Sequence, residues 1–113
     1  MNNTEVVNTT SKYIVKTTGI GSETNEILVD AEKLAEGTDG SKVSLIECYY
    51  LIEGTGTLTI SADAEHPNKL NLTGKGKYGL RPNQLKYGND KIIKLTTDSN
   101  VKSYLLVTEF RRN

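Results

Sequence analysis

The sequence predicts an all-β protein: an antiparallel β-sandwich or jelly-roll-like barrel carrying one short helical insert. Three observations predict it. Thr, Val, Ile and Tyr are frequent while Gly, Asn, Asp and Ser interrupt the apolar runs at short intervals, the pattern of strands joined by turns. The segment GTLTISA alternates strictly, with Leu58, Ile60 and Ala62 on one side and Thr57, Thr59 and Ser61 on the other. Two further segments, 43–53 and 103–110, carry apolar residues on both sides and therefore want cover on both faces. A single open sheet would leave its edges bare, so two packed sheets or a closed barrel is the expected solution.

Along the chain, residues 1–10 (MNNTEVVNTT) are polar and are expected to form a flexible N-terminal segment, with residues 11–113 a single β domain. Strands are expected in KYIVKTT (12–18) and NEILVD (25–30). AEKLAEG (31–37) is the one helical candidate, with Asp30 as N-cap and Gly37 as its stop. In VSLIECYYLIE (43–53), Val43, Leu45, Tyr49 and Leu51 share one face and Ile46, Cys48, Tyr50 and Ile52 the other. Gly54 and Gly56 then predict a hairpin from this strand to GTLTISA. KLNLT (69–73), KIIKLTT (91–97) and SYLLVTEF (103–110) complete the set, the last with Leu105 and Val107 opposite Tyr104, Leu106 and Phe110. At 113 residues with 35% hydrophobic content, one Phe and no Trp, the core must be thin and built of Ile, Leu and Val, which favours burial against another subunit.

Charge and motifs narrow the function classes. Acidic and basic residues balance at 14 each, so no net field draws the chain to nucleic acid or anionic lipid. No apolar stretch approaches the length of a membrane span, and the opening residues lack the pattern of a secretion signal, so a cytoplasmic origin is expected. The lone Cys48 lies in the most apolar run and reads as a buried free thiol. The sole histidine, His66, sits in the polar run DAEHPN, where Asp63 and Glu65 supply too few ligands for a calcium loop. Glu47, a carboxylate within an apolar strand, asks for a Lys or Arg partner. These residues support neither an enzyme nor a bound metal or cofactor.

The stretch LTGKGKYGLRP (72–82) holds Gly74, Gly76 and Gly79 in the spacing G-x-G-x-x-G. A dinucleotide fingerprint also needs a following helix whose N–H groups face the anion, and Pro82 leaves no room for one. The stretch reads instead as a glycine-bent loop whose Lys75, Lys77, Tyr78 and Arg81 suit a partner surface. Lys86 and Tyr87 extend the interleaving of charge and rings seen in single-strand nucleic-acid surfaces, but the neutral chain disfavours that partner. Carbohydrate binding is weakened by the shortage of stacking aromatics.

Taken together, VVNTTSKYIVKTTGIGSETNEILVDAEKL, SKVSLIECYYLIEGTGTLTISA and the close from LTGKGKYGLRP to LLVTEF resemble a group of small virion proteins of tailed bacteriophages, similar to capsid decoration (cement) proteins, with TGIGSETN and GKGKYGLRP the most distinctive phrases. The resemblance implies a structural protein without chemistry of its own. Such a protein binds the major capsid protein lattice on the exterior of the virion and stabilises the head after assembly in the host cytoplasm. The competing reading is a neck or tail ring component, and association of copies with one another is left open. On this reading the partner-binding candidates are Lys75, Lys77, Tyr78 and Arg81, with Tyr78 and Arg81 as anchors, followed by Tyr49, Tyr50 and Phe110.

Overall fold

The computed structural model describes residues 1–34, 37–38, 40–61, 69–79 and 91–112. Among the described residues nine strands form two sheets: β1 (Asn2–Asn8), β2 (Lys12–Ile20), β3 (Glu23–Asp30), β4 (Val43–Gly54), β5 (Leu58–Ser61), β6 (Lys69–Leu72), β7 (Lys75–Gly79), β8 (Ile92–Thr97) and β9 (Val101–Arg112). The five-stranded sheet runs β1-β2-β9-β4-β7 and the four-stranded sheet β3-β8-β5-β6, with every pairing antiparallel. The pairs β2/β9, β3/β8, β4/β7 and β5/β6 nest inside one another. This is the order produced when one long antiparallel ribbon is rolled into two sheets, so of the two expected architectures the chain adopts the jelly roll.

All seven expected strands are present, and two segments differ from expectation. Residues 2–8, expected to be flexible, pair with β2 as the edge strand β1. They are held there by the Thr17 hydroxyl donating to Asn3 Oδ1 at 2.7 Å and by Arg112 Nη1 donating to Asn8 Oδ1 at 2.7 Å. The segment 75–79, expected to be loop, is strand β7 on the opposite edge.

The expected β4–β5 hairpin is also corrected. β4 pairs with β9 and β7, and β5 with β6 and β8, so the chain crosses between sheets at Gly54–Thr57. That corner is fastened by Asp98, whose carboxylate accepts from Thr57 N at 3.0 Å and from Asn100 N at 2.9 Å. Among the described residues the expected short helical insert is a 3-10 turn, Ala31–Lys33, with Asp30 Oδ1 accepting from Glu32 N at its start. Downstream, Glu32 accepts from Gly40 N at 2.9 Å and pairs with Lys91 at 3.2 Å.

Between the sheets lies one apolar core. Val15, Cys48, Ile52, Leu106 and Phe110 of the five-stranded sheet face Leu28, Leu58, Ile60, Ile93 and Leu95 of the other. Phe110, a weaker partner-binding candidate, is fully buried and stacks on Tyr13 with centroids 6.2 Å apart, so it belongs to the core. Cys48 is buried, as expected, and burial pushes its thiol up to about 12.

Candidate functional site

A β-bulge in β4 decides which side chains leave the core. Leu45 pairs with Phe110 and Glu47 with Glu109, so Ile46 is an extra residue in the ladder. Before it Val43 and Leu45 point inward, and after it Cys48 and Ile52 do. The slip turns Glu47, Tyr49 and Leu51 outward, since a one-residue shift exchanges the faces of a strand.

Gly79 makes the bulge possible from the other side. It pairs with Glu47 at φ +141, and a Cβ there would lie 2.6 Å from the Ile46 carbonyl oxygen. Gly74, at φ +68, turns the chain from β6 in one sheet into β7 in the other. Gly76 passes beneath Tyr50, whose hydroxyl oxygen would be 3.0 Å from an added Cβ. The G-x-G-x-x-G spacing therefore serves one corner, one close approach and one bulge.

On the outer face the register brings two apolar pairs side by side at the middle of the sheet. Tyr49 lies opposite Val107 and Leu51 opposite Leu105, across β4 and β9. Tyr49 is 49% exposed and Leu51 42%, in strands whose opposite faces are core. Lys16 extends the first row on the β2 side and Lys77 on the β7 side, while Thr18 and Lys75 extend the second. The Lys77 ammonium sits 5.1 Å from the Tyr49 ring centroid and 3.8 Å from Glu47. The Tyr49 side chain first, and then the charge of Glu47, hold it above lysine's usual range. Glu47 thus has the lysine partner that its place in an apolar strand demands. At the same end Lys12 and Glu109 approach to 4.0 Å.

The partner-binding candidates divide accordingly. Lys75, Lys77 and Tyr49 share this outer face. Tyr50 and Tyr78 fall on the inner side and pack half-buried against the core. Arg81 lies outside the described residues, as do His66, Lys86 and Tyr87. Leu51, Leu105 and Val107 were missed as site residues, although the two-sided apolar pattern of their strands was their signal. Among the described residues no group of three or more His, Cys, Asp or Glu side chains is placed to hold a metal ion, and no helix is long and apolar enough to cross a membrane.

No protein-family model matches the chain, and no curated protein is similar to it. A solved structure of similar shape is a cupin domain from Bordetella pertussis Tohama I, 11% identical, with the match covering 99% of this chain and 92% of that one at a TM-score of 0.44. At that distance neither ligand nor chemistry carries over.

Proposed function

We propose that this protein is a structural component of a tailed-bacteriophage particle, a decoration protein that docks on the major capsid protein lattice at the head exterior and stabilises it. The observation that carries this reading is the apolar centre of the five-stranded sheet's outer face. Tyr49 and Leu51 stand half-exposed beside Leu105 and Val107, where a jelly roll working alone would carry polar groups. The resemblance of the sequence to small virion proteins supplies the partner. Lys75 and Lys77 keep their proposed part in docking, as the border of the face. Tyr49 and Leu51 serve as anchors in place of Tyr78, which packs half-buried on the inner side, while Arg81, the other expected anchor, lies outside the described residues; an aromatic and a leucine at the centre of a patch are suited to exclude water. Repetition over a lattice would turn a modest single contact into durable cover.

The test is to mix purified protein with heads lacking it and to measure copies bound and the temperature of genome release. Saturation at lattice stoichiometry with a raised release temperature is expected, and a reconstruction should place the protein on the head surface. Binding only to necks or tails, or saturation at a handful of copies, would sink the decoration reading and promote the ring alternative.

A further inference from the structure

Building on the docking role just proposed, we infer that the occupant of this face is a different protein whose contact surface has an apolar centre flanked on both sides by carboxylates, and that the charge pattern disfavours a second copy of this chain. The charge map carries the inference. Lys16 on β2 borders the apolar centre on one side, and Lys75 and Lys77 on β7 border it on the other. The two lysine columns are three strand spacings apart, about 14 Å. Neither Lys16 nor Lys75 has an ion pair among the described residues. The glutamates lie instead beyond the ends of the apolar centre along the strands, Glu53 at one end and the cross-strand neighbours Glu47 and Glu109 at the other.

A second copy would meet this pattern with itself. In an aligned face-to-face dimer whose two-fold axis runs along the strands, β2 lies over β7 of the other copy, which sets Lys16 against Lys77 and Glu47 against Glu109. With the axis across the strands, Lys75 stacks on Lys77 and Glu53 on Glu47. Both arrangements bring like charges together over the rim of a desolvated patch, which is unfavourable. A partner with carboxylates at the two sides of an apolar strip meets lysines at both borders. The face therefore selects against self-association while keeping its apolar centre available.

The test uses the whole chain and two synthetic amphipathic helical peptides with the same leucine stripe, one flanked by glutamates and one by lysines. Binding is followed by NMR chemical-shift changes, and sedimentation velocity of the protein alone reports self-association. The glutamate peptide is expected to bind about tenfold or more tighter than the lysine peptide, with shifts centred on Leu51, Leu105 and Val107 and a preference that fades with added salt. Lys16→Glu combined with Lys75→Glu should reverse the preference, and Leu51→Asp should abolish binding of both peptides while its spectrum stays that of the folded parent. Equal affinity for the two peptides, no binding, or shifts confined to other surfaces would overturn the inference. So would a concentration-dependent dimer that Leu51→Asp dissolves. Because the peptide experiment involves no phage head, a protein that shows the peptide preference but ignores heads would count against the decoration reading alone. Head binding without any preference between the peptides would count against the occupant's chemistry alone.

Discussion

The two sheets of this jelly roll differ at the centres of their outer faces. At the centre of the four-stranded sheet the outward residues are Thr59, Asn71 and Thr96, which share cross-strand rows, joined by Ser61 and Lys94, with Ile92 and the exposed Ile27 lying toward the β3 edge. The Thr59 hydroxyl donates to Asn71 Oδ1 at 2.9 Å and the Thr96 hydroxyl to Asn25 Oδ1 at 3.3 Å, a lattice of small polar groups at home in water. On the five-stranded sheet the same positions of the two long strands hold Tyr49, Leu51, Leu105 and Val107. Both sheets bury their inner faces against the same core, so burial on folding does not explain the difference. A chain that covers the centre of one outer face with hydroxyls, keeping Ile27 and Ile92 toward its β3 edge, and sets Tyr49, Leu51, Leu105 and Val107 at the centre of the other is built to have the second centre covered by something else.

If the outer apolar residues were core after all, truncating them would cost what truncating a buried residue costs. Phe110→Ala, at a fully buried position stacked on Tyr13, is expected to cost about 3–5 kcal/mol in denaturant unfolding, enough to threaten the fold of a domain this small. Leu51→Ala should cost well under half of that, and an equal loss would mean that Leu51 packs as core. The buried thiol gives a second reading of the inner side. Cys48 should resist thiol reagents at neutral pH and react at a rate set by opening of the fold. Its folded pKa is raised, so the folded state holds the proton longer. The stability it contributes is complete below the ordinary thiol range and is lost as pH rises from there through about 12.

Next in size is the bulge that aims Tyr49 and Leu51 outward. Gly79→Ala places a Cβ against the backbone of Ile46 at a φ of +141, and a loss of roughly 1–3 kcal/mol is expected from the strain. If the bulge were removed instead of strained, the exposure of Tyr49 and Leu51 would change with it, which proteolysis or aromatic chemical shifts would register. Thr108 tests the inner side with the opposite sign. Its hydroxyl is buried between Val15 and Cys48 in the ladder, with no hydrogen-bond partner among the described residues. Thr108→Val should therefore stabilise the fold, by about 1 kcal/mol, in the same unfolding measurement. A loss of similar size would reveal a partner for the hydroxyl.

Much of this architecture was legible in the residues, and its gaps have physical causes. Strands buried on one side announce themselves by alternation, as Leu58 and Ile60 do, and all strands of that kind were found. β1 was missed because both of its faces are mostly wet: Asn2, Asn3, Thr4 and Glu5 carry no periodic signal, and their strand is made by pairing with β2 alone. β7 was missed because Gly76 and Gly79 are chosen for close approach to Tyr50 and Glu47, which reads locally as loop. The glycines after β4 read as a hairpin because a tight turn within a sheet and a corner between sheets need the same residue types. At the site, the surplus apolar surface of β4 and β9 was visible. Which side of β4 faced water was not, since the bulge at Ile46 exchanges the faces halfway along the strand. Phe110 followed from that ambiguity: in a strand apolar on both sides, alternation groups it with Leu106 but does not say which group is inside.

The smallest expected effect is also the most discriminating. Replacing Tyr49 or Leu51 singly by Lys removes apolar surface that is half in water and breaks only exposed contacts. The Lys77–Glu47 pair and the Lys77 contact with the Tyr49 ring are both at the surface, where such interactions contribute little. Stability should stay within about 0.5 kcal/mol of the parent. Retention on a hydrophobic column should nonetheless fall for both variants, whereas Thr59→Lys on the polar sheet should leave retention and stability alike unchanged. If Thr59→Lys lowers retention as much as Leu51→Lys does, the two outer faces are equivalent in water and the asymmetry has no consequence. If only the substitutions on the five-stranded sheet do so, the face that folding leaves uncovered is the one the molecule offers to its surroundings.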